Sequence, residues 1–243
     1  MSSLIQLIRR ICLDLDGVLN KFHQHIFHHL GFPDYDDTLY PIEAGWEIED
    51  AANMMAGYEK FPSRSEFWNR ITREVWATAP KSDEFEFLIE ASADLVGREN
   101  MIVLTKPTID PDCMAGKLEW MHANLPRWMR RQFLVGPPKE FCARPDTLLV
   151  DDADKNVNKF KEAGGMTLLV PRPWNSNARL LQGDRQTRRE VPLLFLQGAF
   201  ATFKSLQRGT HVGSAIEFPA CYTRPSGSGG DGAEQLHDRA LAV

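Results

Sequence analysis

Residues 11–19, Ile11-Cys12-Leu13-Asp14-Leu15-Asp16-Gly17-Val18-Leu19, decide how this chain is read. A short apolar run ends in two carboxylates two residues apart, and a glycine then lets the chain turn. Continuous apolar runs of this kind suit strands buried on both faces of a parallel sheet. On an extended chain positions i and i+2 point to one side, so Asp14 and Asp16 are expected to face the same way at the strand's carboxyl end. In an open parallel sheet that end forms the ligand crevice. Two acids placed there need a cation or a proton beside them.

Four more runs have the same character: MIVLT (101–105), FLV (133–135), TLLVD (147–151) and TLLV (167–170). Between them lie segments with helical spacing. Residues 83–96 bring Phe87, Leu88 and Leu95 near one stripe, and residues 112–125 place Met114, Leu118, Met121 and Leu125 at three- and four-residue steps. Residues 154–163 carry Val157, Phe160 and Ala163 before Gly164-Gly165 ends the helix. Strands alternating with helices predict an α/β fold with a doubly wound, Rossmann-like parallel sheet.

The stretch 21–78 breaks this rhythm with aromatics, histidines and turns at Gly31-Phe32-Pro33 and Phe61-Pro62. It is expected to be a small, mainly helical cap inserted after the first strand. The catalytic core then comprises 1–20 and 79–207, with a last amphipathic helix over 191–207. From 208 to 243 Gly, Ser, Pro and Thr dominate and apolar periodicity disappears, which predicts a disordered tail.

The composition narrows the class of function. The chain has 243 residues, 43% apolar and 25% charged, as in an ordinary globular protein with one large domain or a domain and an insert. A formal charge of −5 argues against stable binding to nucleic acid through a basic face. Cys12, Cys113, Cys142 and Cys221 form no CxxC pair, so free thiols in a reducing compartment are expected. Arg9, Arg10, Asp14 and Asp16 interrupt the first apolar stretch, and no run approaches the roughly 20 apolar residues that span a bilayer. A cytoplasmic, soluble protein without a membrane partner is the expectation; the oligomeric state is left open.

A second acidic pair, Asp151-Asp152, follows TLLV as Asp14 and Asp16 follow the first run. Two strands thus deliver four carboxylates to one sheet edge, a collection suited to a hard divalent cation such as Mg²⁺. Thr105 ends another run, and Lys139 precedes Asp151 by twelve residues. An EF-hand does not account for the first pair, because its sixth position here is Leu19 and its twelfth is His25. No GxxxxGK[ST] loop is present, which counts against nucleoside triphosphate hydrolysis of the P-loop type. His25 and His29 stand four apart and could clamp zinc on a helix, but no third ligand is evident, and an exposed cap helix is the plainer reading.

DLDGVL, then VLT, then a lysine, then LLVDDADKN resembles the four ordered motifs of the haloacid dehalogenase-like phosphohydrolases, over roughly residues 8–175. Within that superfamily the chain is similar to the 5'(3')-deoxyribonucleotidase branch: Lys117-Leu118-Glu119-Trp120 matches its Lys-x-x-Trp, Phe22 falls where it has a substrate-facing Phe, and Val170–Asn175 resembles the segment after its last core strand. Two departures stand out. Lys106 replaces a Ser after the motif threonine, and Pro137-Pro138 replaces an Arg before the motif lysine.

The resemblance implies an aspartyl-phosphate mechanism. Asp14 would be the nucleophile and Asp16 the general acid and base. Thr105 would bind a phosphoryl oxygen, and Lys139, with Lys117 as its rival, would neutralise the phosphoryl group. Mg²⁺ would be held by Asp14, Asp16 through its main-chain carbonyl, and Asp151 or Asp152, with Asp154 and Asn156 as possible supports. Phe22, Lys106, Lys117 and Trp76 would face the substrate. Trp46, Phe61, Phe67 and Trp68 are candidates either for the cap core or for base stacking. The expected function is Mg²⁺-dependent hydrolysis of a small phosphomonoester, foremost a (deoxy)nucleoside monophosphate. The alternatives are a phosphatase of polynucleotide ends or of another phosphorylated metabolite, and a catalytically silent binding module.

Overall fold

Each of the five apolar runs forms a strand. In the computed structural model, which describes residues 7–136 and 138–209, they are β1 (Arg10–Leu13), β2 (Met101–Thr105), β3 (Phe133–Val135), β4 (Thr147–Asp151) and β5 (Met166–Leu169). All neighbours are parallel, in the order β3-β2-β1-β4-β5. β1 is central: Leu13 stands opposite Val103 on one side and Val150 on the other. The chain runs outward from β1 through β2 and β3, then returns to β4 on its other side. The direction of winding therefore switches between β1 and β4, where a parallel sheet opens its ligand crevice.

Among the described residues, eight α-helices flank this sheet or lie within residues 22–78: α1 (Phe22–His29), α2 (Ile48–Ala56), α3 (Arg64–Trp68), α4 (Arg73–Thr78), α5 (Phe85–Val96), α6 (Pro111–Asn124), α7 (Asp154–Glu162) and α8 (Arg185–Gln207). α6 starts where Asp110 accepts a hydrogen bond from the Asp112 amide, with Pro111 in the first turn. α8 starts at Arg185 rather than 191, capped by Asp184 on the Thr187 amide. Its first turns are exposed and carry no apolar stripe, so periodicity alone could not place them.

The buried face of α6 also differs from the expected stripe. Met114 and Leu118 are exposed, whereas Cys113, Gly116, Lys117, Trp120 and Met121 are buried. The cause is a close helix crossing. A Cβ at Gly116 would lie 2.4 Å from Trp76 Cβ and 2.5 Å from the Arg73 carbonyl, so glycine lets α4 rest on α6. On α7, Val157 and Phe160 are buried as expected, but Ala163 follows the helix and is exposed.

Residues 22–78 hold four of the helices and most of a second apolar cluster around Phe27, Phe67 and Trp76. Cys113 of α6 and Trp174, beyond β5, join that cluster from the sheet side. The chain leaves and re-enters the sheet unit through one neck: the Lys21 amide donates to the Pro80 carbonyl at 2.8 Å and Ser82 Oγ to the Val18 carbonyl at 2.6 Å. No helix among the described residues is long and apolar enough to cross a membrane. The tail expected from 208 lies outside the described residues after Gly209.

Candidate active site

The strand ends place the polar groups. Asp14 directly follows β1, its amide bonded to the Val150 carbonyl at 2.9 Å. Thr105 is the last residue of β2 and Asp151 the last of β4, followed by Asp152. Lys139 opens a 3-10 turn, Lys139–Cys142, after β3. Its Nζ lies 2.7 Å from Asp14 Oδ1 and 2.7 Å from Asp151 Oδ2, so one buried ammonium bridges the central strand and its neighbour.

Oxygen atoms of Asp14, Asp151 and Asp152 lie within 4.8 Å of one another. Their hydrogen bonds distinguish them. Asp151 is saturated: Oδ1 accepts from the Ala153 amide and Asn156, and Oδ2 from Lys139 and Asn156. Asp152 accepts from Trp174 Nε1 on Oδ2 at 2.9 Å, while its buried Oδ1 has no partner. Three carboxylates face one ammonium, and a buried, uncompensated oxygen of this kind is costly without a cation or a proton. Burial, then the neighbouring Asp151 and Asp16, push Asp14 up to about 7 against the pull of Lys139. Burial together with Asp151 and Asp14 holds Asp152 well above the usual carboxylate range. Burial opposes the charge on Lys139, yet Asp14 and Asp151 keep it above the ordinary lysine value. The donor set, all oxygen and strongly anionic, fits a hard divalent ion.

Asp16 goes elsewhere. It lies past the strand, paired in an isolated bridge with Asn20, so the extended geometry that would align it with Asp14 has ended. Its Oδ2 is 2.6 Å from Lys117 Nζ, and its Oδ1 accepts from Asn20 Nδ2 at 3.2 Å. The Asp16 carboxylate is thus not part of the three-acid cluster. Lys117, only 2% exposed, also donates to Thr105 Oγ1 at 3.1 Å and to the Lys106 carbonyl at 2.5 Å. The two lysines therefore divide the site: Lys139 pairs with Asp14 and Lys117 with Asp16 and Thr105. Lys106 is exposed overall, and partial desolvation followed by the nearby Lys155, Lys159 and Lys139 lowers its proton affinity.

Phe22 and Trp76, both expected to face the substrate, are buried against each other, with ring centroids 4.1 Å apart and planes at 18°. Trp68 lies parallel on Trp76 at 6.1 Å, and Lys117 Nζ sits 5.0 Å from the Trp76 ring. Both rings belong to the second apolar cluster. Phe22 still lines a cavity of about 350 Å³ with Gly17, Asn20, His23, Tyr40 and Arg172. None of the site carboxylates lines this cavity, which adjoins them through Gly17 and Asn20. Of the other aromatics, Phe61 and Phe67 are core residues, Trp68 packs partly buried against them, and Trp46 is exposed.

The histidines do not converge. His25 meets Thr78 Oγ1, His28 the Tyr35 carbonyl and His29 the Arg70 carbonyl, which removes the zinc clamp. His23 is buried, with its pKa lowered to about 3 by burial and then Arg172. Asp154 accepts from the Ser176 amide and hydroxyl rather than joining the acid cluster.

Three contributors to the site stand outside the motif reading. Asn20 holds Asp16, and its Oδ1 also accepts from the amides of Gly17 and Phe22. Arg172 donates through Nε to the Gly17 carbonyl at 2.8 Å and forms a two-point pair with buried Glu84 at 3.1 and 3.0 Å. Trp174 holds Asp152. Asn20 stands one residue beyond DLDGVL and could have been noticed there. Arg172 and Trp174 lie in the Val170–Asn175 segment that the resemblance picked out, but without a role, because the partners they reach are distant in sequence.

No protein-family model matches the chain, and no curated protein is detectably similar to it in sequence. Solved structures do match in chain path. One is a HAD family hydrolase from Deinococcus radiodurans with bound phosphate and sodium, at 15% identity and TM-score 0.49, covering 82% of this chain and 97% of that one. Another is the L-2-haloacid dehalogenase of Xanthobacter autotrophicus, at 13% identity and TM-score 0.42, covering 76% and 87%. A third is a HAD family enzyme from Bacteroides thetaiotaomicron in complex with magnesium and inorganic phosphate, at 17% identity and TM-score 0.33, covering 72% and 100%. Similarity at this level leaves the activity to be read from the residues of the chain itself.

Proposed function

We propose that this protein is a Mg²⁺-dependent phosphatase of the haloacid dehalogenase-like superfamily, acting on a small phosphomonoester, foremost a (deoxy)nucleoside monophosphate. The observation that carries this reading is Lys139 bridging Asp14 and Asp151 while the neighbouring Asp152 keeps a buried oxygen without a partner. The four sequence motifs support it, and Asp16 favours phosphate chemistry over dehalogenation, because a leaving alkoxide needs a proton and a leaving halide does not.

Asp14, Asp152 and the main-chain carbonyl of Asp16 would hold the ion, and Asp151 would act from behind through Lys139. Mg²⁺, when bound, supplies positive charge that offsets repulsion between the carboxylate and the phosphate. Lys139 offsets part of the burial that raises Asp14 and so favours its anionic form beside an incoming phosphoryl group. Asp14 attacks phosphorus, and the bond from phosphorus to the ester oxygen breaks. Asp16, held by Asn20 and Lys117, would protonate that oxygen when it enters the reaction in its acid form, and is left as the carboxylate. Asp16 then takes a proton from the water that hydrolyses the aspartyl phosphate. The Thr105 hydroxyl and Lys117 would bind the remaining phosphoryl oxygens.

The cavity beside Gly17 and Asn20 offers room for the leaving group, with Phe22 and Tyr40 as apolar walls and Arg172 as a polar one. Its volume of about 350 Å³ falls in the range of small-molecule pockets. A panel of nucleoside monophosphates and non-nucleotide phosphomonoesters, scored by released phosphate with Mg²⁺ or EDTA, tests the reading. Preference for nucleotides that requires Mg²⁺ supports it. Equal turnover of base-free esters removes the nucleotide assignment, and no Mg²⁺-dependent turnover of any ester removes the phosphatase.

A further inference from the structure

Among the described residues, one side chain donates to the Asp152 carboxylate: the indole of Trp174, through Nε1 to Oδ2 at 2.9 Å. Gly17 closes on the same oxygen, where an added Cβ would stand 2.0 Å from it. Oδ2 is therefore fixed from two sides, and Oδ1 is left buried and without a partner.

The indole is itself held. His23 stacks on it with centroids 3.8 Å apart and planes at 13°, and Tyr40 meets it edge-on at 5.5 Å. The next residue, Asn175, donates from Nδ2 to the carbonyls of Asp152 and Val170, both at 2.8 Å. This ties the segment after β5 to the backbone of the acid it serves. A carboxylate pinned at one oxygen presents the other in one direction, and such outer partners commonly tune metal affinity.

We propose that Trp174 is a positioning residue for Asp152: its indole N–H aims Asp152 Oδ1 into the acid cluster and sets the affinity of the site for a divalent cation. The inference rests on the metal reading of the site given above. His23 has the supporting part of a flat, uncharged backing for the indole.

Trp174→Phe keeps a ring for His23 to stack on and removes the N–H. Titration of the full-length protein with Mg²⁺ alone, followed by calorimetry, should show a dissociation constant raised roughly 10- to 100-fold. The Mg²⁺ concentration for half-maximal turnover should rise in parallel, and added Mg²⁺ should recover the lost activity. A role confined to packing would lower the melting temperature without moving the Mg²⁺ dissociation constant. A folded variant with wild-type Mg²⁺ affinity overturns the proposal.

A second measurement needs no variant. Of the six tryptophans, Trp174 should give the indole ¹H–¹⁵N resonance that shifts on adding Mg²⁺ and is broadened first by Mn²⁺. Saturation with Mg²⁺ that moves no indole resonance overturns the proposal. If the wild type takes up no Mg²⁺ at all, the metal reading fails and this inference fails with it; if it binds Mg²⁺ and only the variant comparison fails, the metal reading stands.

Discussion

Mg²⁺ should stabilise this protein more at pH 8 than at pH 6, by an amount that follows from the burial of Asp14. Its folded pKa lies at about 7 against an ordinary value of 3.8. A raised folded pKa means that the folded chain binds the proton more tightly than the unfolded chain. The resulting stability is complete below about pH 4 and is lost as pH rises through 7. Between pH 6 and pH 8 a group titrating near 7 loses roughly 1 kcal/mol, on the order of a factor of ten in proton occupancy. For a chain of this size that corresponds to roughly 2–4 °C in melting temperature. Asp152 shifts in the same direction and adds to the loss. His23 acts in the opposite sense, since its lowered pKa costs stability as pH falls below about 6.5. The difference between Mg²⁺ and EDTA at each pH cancels His23, because that ring is outside the acid cluster. Melting temperatures by circular dichroism in EDTA and in saturating Mg²⁺, from pH 6 to pH 8, provide the assay. The Mg²⁺ increment should grow with pH in the wild type and much less in Asp14→Asn. An increment that is flat with pH, or one that grows equally in Asp14→Asn, refutes the argument.

Asp16→Asn should slow hydrolysis of alkyl phosphates far more than that of p-nitrophenyl phosphate, whose leaving group needs no proton; equal losses measured by phosphate release would contradict the general-acid role. Gly17→Ala should lose Mg²⁺ affinity and melting temperature together, because residue 17 has φ +72° and its new Cβ would collide with Asp152 Oδ2; calorimetric titration showing unchanged Mg²⁺ binding would count against the tight packing there. Glu84→Gln should destabilise by about 3–5 kcal/mol in urea unfolding, since it leaves the buried Arg172 guanidinium without its anion; a loss under 1 kcal/mol would mean that the pair is solvated.

The sheet was legible because its inner strands are covered on both faces, so each appears as an unbroken apolar run such as Leu148-Leu149-Val150, while the edge strand β3, with Leu134 exposed, keeps only a three-residue run. The acids were legible for a related reason: carboxylates at the ends of such runs have few structural explanations. The face of α6 was not, because its buried side carries a lysine paired with Asp16, Lys117, and a contact glycine, Gly116, while apolar Met114 and Leu118 face outward. Periodicity of apolar residues reports burial only when the buried residues are apolar. The partners of the acids escaped for a different reason. Trp174 reaches Asp152 across 22 residues, and Arg172 reaches Glu84 across 88, contacts made by the crossover from β4 to β5 and by the neck of the insert. Phe22 was singled out because it falls where the resembled branch has a substrate-facing Phe, but that match does not reveal that Trp76 lies against its face.

The central claim is that Asp14 is the group that accepts phosphate. A burst with ³²P-labelled nucleoside monophosphate and Mg²⁺, quenched in acid and reduced with borohydride, converts a phosphorylated aspartate to homoserine that mass spectrometry can locate. The account predicts homoserine at position 14, in amounts that rise with Mg²⁺ and vanish with EDTA. Turnover with the label on another residue or on none, or Asp14→Asn turning over within tenfold of the wild type, would contradict it.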